Sequence, residues 1–187
     1  MAERERLAAW LKEHKAFGPA TEITTFAPLS GGQSSVLFRL ECTGCGPFVI
    51  RMEPRGRQIF LAPDIVREYR IAEGLAAAGV AIAPLIAVES DETILGAPFM
   101  VMGEVAGTAP LGRPSMHGSG LLPDLDAAQR SRLSDAAIDT LAKIHAVDWR
   151  ATHPFLAGEI AREGGLVHHL DHLTRWYQWT VQGRTFP

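Results

Sequence analysis

Apolar residues recur near the start of the chain at Leu7, Trp10 and Leu11, with His14 completing the face, and this spacing predicts an amphipathic helix from Glu3 to His14. Gly18 and Pro19 supply its stop signals. The period then shortens to two. Ile23, Thr25, Ala27 and Leu29 alternate through Glu22 to Leu29, and Val36, Phe38 and Leu40 alternate through Val36 to Cys42. Pro47 to Met52 reads as a third strand, with Phe48, Val49 and Ile50 apolar. Turns at Ser30 to Ser35 and Thr43 to Gly46 join the three, which makes an antiparallel meander.

Residues 54 to 63 carry Pro54, Gly56 and Pro63 and read as irregular. Asp64 is placed to cap a helix from Ile65 to Ala78, whose apolar positions are Ile65, Tyr69, Ala72, Leu75 and Ala76 and whose stop is Gly79. Leu85 to Val88 and Pro98 to Val105 are two further strands, with the polar turn Glu89 to Glu92 after the first. Residues 107 to 124 are rich in glycine and proline and mark the best boundary. Beyond them the pattern is helical. One long segment starts at Leu125-Asp126 and ends near His145 to Trp149, and another runs from Leu166 to Val181.

Composition bounds what such a chain does. Its 187 residues are 47% hydrophobic and 21% charged, enough for a globular core. The net charge is −3 with no basic tract, so no nucleic-acid footprint is expected. The charged N-terminus does not read as a signal peptide. The longest apolar run, Leu75 to Val88, is broken by Gly79 and Pro84 and is too short for a membrane span, so a cytoplasmic location is the expectation. Cys42 and Cys45 form a C-x-x-C pair in a hairpin turn, without a second pair or a histidine pair at zinc-finger spacing, and read as ordinary turn cysteines.

Four places could carry chemistry. The turn Ser30-Gly31-Gly32-Gln33-Ser34-Ser35 joins two strands. Its glycines would let backbone N–H groups approach a phosphate, although a hairpin turn also favours glycine. It is not a Walker A loop. Arg51 ends the third strand after Phe48-Val49-Ile50. A guanidinium there would grip phosphate oxygens with two N–H groups, or simply reach solvent. Glu68 lies on the next helix, either paired to that cation or on a solvated face. The strand Phe99 to Gly103 runs through Glu104 and Val105 towards the helical half, where exposed backbone could meet a base edge or merely form an exit turn. Each signal is weak alone. Their order is the layout of a kinase N-lobe.

These residues resemble the phosphotransferase family that includes aminoglycoside and choline kinases. The nearest branch is that of bacterial phosphotransferases similar to the kinase-like region attached to some acyl-CoA dehydrogenases. The motif L-S-G-G-x-S-N-x-x-Y is met by Leu29 to Phe38, Y-V-L-R-R-x-P by Phe48 to Pro54, and R-E-Y-R-x-x-x-x-L by Arg67 to Leu75. The motif G-V-P-V-P is met loosely by Gly79 to Pro84, G-x-P-F-x-V-M-E-x-V-x-G by Gly96 to Gly107, and L-A-x-L-H-A-V-D-W by Leu141 to Trp149. The resemblance implies an α+β fold. A protein-kinase-like N-lobe, a five-stranded antiparallel sheet with one main helix, would occupy residues 1–106. A linker would follow at 107–124, then the helical start of a C-lobe at 125–187.

It further implies ATP as phosphoryl donor, Mg2+ as its counter-ion and an alcohol group on a small molecule as acceptor. Ser30, Gly31, Gly32, Gln33 and Ser34 would cover the phosphates. Arg51 would contact them in place of the usual lysine, with Glu68 as its partner. Met102 would flank the adenine, and the Gly103 carbonyl and Val105 N–H would bind its edge. Three positions depart from the wider family's pattern: Ser35 replaces Asn, Arg51 replaces Lys, as is common in the nearest branch, and Gly103 replaces Glu. The catalytic motif H-G-D-x-x-x-x-N and the later magnesium-binding Asp are missing from these residues. His169-Leu170-Asp171 resembles the first half only, because Trp176 stands where the Asn belongs and the segment reads as helix. His168, His169 and His172 could suggest a metal site, since the i and i+4 pair His168 and His172 shares a helix face, but with no third ligand on that face they read as a polar face.

Two readings follow. The chain is the nucleotide-binding N-terminal part of a small-molecule kinase, inactive by itself, whose remaining C-terminal part covers Trp176, Tyr177 and Trp179. Alternatively, it is a non-catalytic, pseudokinase-like binding module in which a protein partner covers that helix.

Overall fold

The structure is a computed structural model and describes residues 2–29, 34–55, 63–108, 118, 120–157 and 166–183, without the side chain of 168. The glycine turn at Ser30, Gly31, Gly32 and Gln33 lies outside the described residues. Helix α1 spans Glu3–Glu13, followed by strands β1 (Ile23–Leu29), β2 (Val36–Cys42) and β3 (Cys45–Met52). Helix α2 (Ile65–Ala77), strand β4 (Leu85–Glu89), the one-turn helix α3 (Glu92–Leu95) and strand β5 (Phe99–Gly103) complete the sheet region. Then come α4 (Leu121–Asp124), α5 (Ala127–His145), α6 (Trp149–Thr152) and α7 (Leu166–Val181). All strand pairs are antiparallel, in the order β1-β2-β3-β5-β4. The expected α+β architecture with a five-stranded antiparallel sheet is therefore present.

The sheet has two differently covered faces. On one, Leu7 and Leu11 of α1 are fully buried against Leu40, Ile50, Met52, Phe99 and Val101. Trp10 meets the ring of Phe99 edge-on at 5.1 Å, and its indole N–H donates to Glu89 Oε2 at 2.7 Å. On the other face, Ile65 and Tyr69 of α2 pack on Met100, with Leu85, Val88 and Met102 beside them. Alternation along β5 sends Phe99 and Val101 to α1, and Met100 and Met102 to α2.

Local signals explain the element ends. Asp64 Oδ1 accepts from Arg67 N at 2.8 Å, as expected of a cap worth about 1 kcal/mol, and Glu53 Oε1 accepts from Ile65 N at 2.8 Å. Gly79 takes a positive φ of 80°, which closes α2 as Val80 N reaches back to Leu75 O at 3.0 Å. At the start of α5, Asp126 and Gln129 cap each other reciprocally.

The structure departs from the pattern reading in four places. A register shift between Ile23 and Thr25 sends Ile23 to the α1 side with Phe26, while Thr25, Ala27 and Leu29 stay opposite. Strand β3 starts at Cys45, because Cys42 and Cys45 pair directly across a Thr43-Gly44 turn. The polar stretch after β4 closes into α3, capped by Asp91 on Thr93 N at 2.8 Å. Strand β5 stops at Gly103, short of Val105: Glu104 N donates to Pro47 O, and Pro47 has no N–H to return the bond.

Among the described residues no helix is long and apolar enough to cross a membrane.

Cys42 is buried, and burial, with Cys45 beside it, pushes its thiol up to about 11. The folded chain thus holds this thiol neutral where an unfolded chain would ionise it. Stability falls as pH rises from the ordinary thiol range to about 11. In native protein at pH 8, iodoacetamide should label Cys42 at about a hundredth of the rate seen after unfolding in urea, in proportion to the thiolate present. Peptide mass mapping reads that ratio, and comparable native and unfolded labelling would contradict the buried position.

Candidate functional site

Strand β3 sends Phe48, Ile50 and Met52 to one face, and Val49 and Arg51 to the other. Ile50 and Met52 point to α1 and are buried, so Arg51 between them must emerge on the α2 face. There it lies between Leu37 of β2 and Met100 of β5 in the sheet register. Glu68 stands on α2, one residue before the buried Tyr69, on the edge turned towards the strand end. The structure brings the two together: Arg51 Nη2 lies 2.6 Å from Glu68 Oε2. Arg51 Nε donates to Ser35 Oγ at 3.1 Å. Ser35, which replaces the asparagine of the family pattern, thus joins the end of the glycine turn to β3 and, through Arg51, to α2.

Two of the guanidinium nitrogens are engaged. Among the described residues Nη1 has no partner, and the Arg51 side chain is 33% exposed. A guanidinium held at two corners with its third free is oriented to meet an anion with N–H groups in a fixed plane. The residues present therefore fit an anionic ligand such as a nucleotide phosphate. For a metal ion the described residues offer less: no group of three or more His, Cys, Asp or Glu side chains stands together among them.

The remaining predicted residues are dispersed along the same region. Ser34 precedes β2, immediately after the four residues that lie outside the described set. Met102 shares the α2 face and is paired with Val49 of β3. Gly103 N donates to Pro84 O at 2.7 Å. A Cβ on Gly103 would meet Pro84 Cβ and Cγ at 3.2 Å, a physical reason for glycine where the family pattern has Glu. Val105 lies beyond the strand and is 67% exposed. Asp171 sits inside α7 with exposed neighbours, as the helical reading of that segment expects.

Pattern reading missed two features. Arg39 on β2 bonds Glu104 through Nε at 2.7 Å and Glu41 through Nη2 at 3.1 Å, closing the end of the face near Met102. Glu104, through its hydrogen bond first and its charge second, holds the Arg39 guanidinium even more firmly protonated. His153 is buried against α2, its Nε2 2.8 Å from Ile71 O. A signal for the second existed. Gly74 stands inside α2, in its C-terminal half, where glycine costs about 1 kcal/mol relative to alanine, and such a glycine usually marks a close approach.

Comparison with known proteins bears on the family and the fold. Residues 25–184 match the Phosphotransferase enzyme family, APH. The chain is 30% identical over 148 residues to human acyl-CoA dehydrogenase family member 11, covering 78% of this chain and 18% of that protein. It is 31% identical over 137 residues to mouse acyl-CoA dehydrogenase family member 10, covering 73% of this chain and 11% of the relative. A crystal structure from Ralstonia eutropha, provisionally named an aminoglycoside phosphotransferase, superposes with a TM-score of 0.59 at 30% identity, over 80% of this chain and 40% of that one. The chain thus spans less than a fifth of these curated relatives and under half of the solved structure. With a sheet, a helix and a motif order that agree over most of its length, the chain belongs to the APH phosphotransferase family and carries its kinase-like fold.

Proposed function

We propose that this chain is the nucleotide-binding part of an ATP-dependent phosphotransferase acting on an alcohol group of a small molecule. The observation that carries the reading is the Ser35–Arg51–Glu68 chain on the α2 face of the sheet, in a member of a phosphotransferase family. In this reading residues 1–106 are the nucleotide lobe, 107–124 the linker and 125–187 the start of a helical lobe. Arg51 grips phosphate oxygens through its free corner, and Glu68 fixes its plane. The turn Ser30 to Ser34 covers the phosphates, while Met102, Gly103 and Val105 meet the adenine. Magnesium, when bound, would neutralise charge on the phosphates. The carboxylates that hold it and the catalytic base belong to a segment outside these residues, since no H-G-D-x-x-x-x-N stands in the sequence.

A second reading is favoured by the exposed apolar side chains of α5 and α7, among them Ile138, Leu141, Leu170 and Tyr177. A non-catalytic module would use them to bind a partner protein, whereas a kinase part would cover them with its own further chain. The intact mass of the native protein separates the two. A mass well above 20.3 kDa, with an H-G-D segment in the added chain, is the kinase outcome. A mass equal to this chain is the outcome for the module.

Binding is testable directly. Calorimetric titration of the 187-residue chain with Mg-ATP should show one site and no ADP release over hours. Arg51→Ala should weaken binding by about tenfold or more, as loss of a charge-assisted contact does. Absence of ATP binding in the folded parent chain would overturn the reading.

Glu68→Gln should also weaken ATP binding while changing stability by less than about 1 kcal/mol, because this ion pair is partly exposed and screened. Urea denaturation checks the second value. A large loss of stability would mean that the pair holds the fold rather than the ligand.

A further inference from the structure

Helix α2 is gripped from two directions. Its N-terminal half is fixed to the sheet by Ile65 and Tyr69 and by the Glu53 and Asp64 caps. Its C-terminal half meets something different, the segment that follows α6. His153 is 3% exposed, and its ring fills the space beside Gly74 so completely that a Cβ there would stand 2.4 Å from Nε2. The Ile71 carbonyl can only accept, so the Nε2 that lies 2.8 Å from it carries hydrogen and donates. Nδ1 lies 2.7 Å from Thr152 Oγ1. Two residues on, the ring of Phe155 lies 3.9 Å from the Arg70 guanidinium carbon.

These contacts land on Arg70, Ile71 and Gly74, the stretch of α2 that follows Glu68. From Glu68 to Ile71 the helix rises about 4.5 Å, so a hold on Ile71 is a hold on the adjacent turn. A helix moves as a rod over such a distance. The Glu68 contact, at 2.6 Å, would not survive a slide or rotation of about 1 Å, since hydrogen bonds weaken steeply outside their range.

We propose that His153 is a positioning residue: with Phe155 it straps α2 in the register at which Glu68 meets Arg51. The consequence for ATP rests on the nucleotide reading above, but the strap itself can be measured without nucleotide. It also means that the helical region after α5, far along the chain, decides whether the Arg51 site is assembled.

The test uses the 187-residue chain. NMR measures water exchange of the Arg51 Nη2 hydrogens, which face Glu68, and calorimetry measures Mg-ATP affinity. In His153→Ala the Arg51 exchange should rise about tenfold and ATP should bind about fivefold more weakly, a size typical of coupling through packed side chains. His153→Gln, whose amide can still donate to the Ile71 carbonyl, should recover part of both. Should His153→Ala fail to fold, Phe155→Leu removes only the Arg70 stacking and should move Arg51 exchange in the same direction by a smaller factor. Unchanged Arg51 exchange in a folded His153→Ala or Phe155→Leu chain would overturn the strap, even with stability reduced. Faster exchange in a chain whose parent does not bind ATP would keep the strap and sink the nucleotide reading.

Discussion

The candidate site depends on a single constraint: the two faces of one sheet are covered by two different helices. Leu7, Leu11 and Trp10 of α1 take the face of Ile50, Met52, Phe99 and Val101. Because side chains alternate, that choice sends Arg51, Met100 and Met102 to the opposite face without any further instruction. Helix α2 then covers only part of that face, through Ile65 and Tyr69. The half-open strip beside it is where a cation can stand next to a carboxylate and still reach a ligand. A one-residue slip of β3 would bury Arg51 under α1 and expose Ile50, so the register of the sheet and the existence of the site are the same fact.

Within that strip the charges are held for geometry more than for stability. The Arg51–Glu68 pair is partly exposed on both sides, where ion pairs contribute little. What it supplies is direction. A lysine in this position would offer a point charge on a flexible stem, whereas Arg51 presents a planar fork with Ser35 on one corner and Glu68 on another. The serine in place of the asparagine of the family pattern fits this exchange: its short hydroxyl reaches the strand cation and ties the turn to the fork.

Much of this was legible from residue pattern. The period-two run at Val36 to Cys42, the apolar run within Pro47 to Met52, the Asp64 cap and the Gly79 stop each rest on local chemistry that tertiary context did not override. Arg51 and Glu68 were legible as a pair through motif order, since neither stands out alone. The bulge at Ile23 and Thr25 was not, because alternation in a half-polar strand reads equally well in two phases. Nor were Arg39 with Glu104 or His153 with Gly74, whose partners lie far apart in sequence and leave no periodic trace. The glycine inside α2 was the one local sign, and it tells of a close approach without naming the visitor.

The helical region poses the complementary problem. Helix α5 has a capping box at its start and a basic residue in its last turn, yet no residue of it is buried. Helices in proteins owe most of their stability to a packed apolar face rather than to caps and propensity. Leu133, Ile138, Leu141 and Ile144 therefore call for a covering surface, whichever chain supplies it. The contact between His153 and α2 shows a different way in which this half of the chain is tied to the sheet region: under the proposed strap, the buried imidazole holds the helix whose Glu68 meets Arg51.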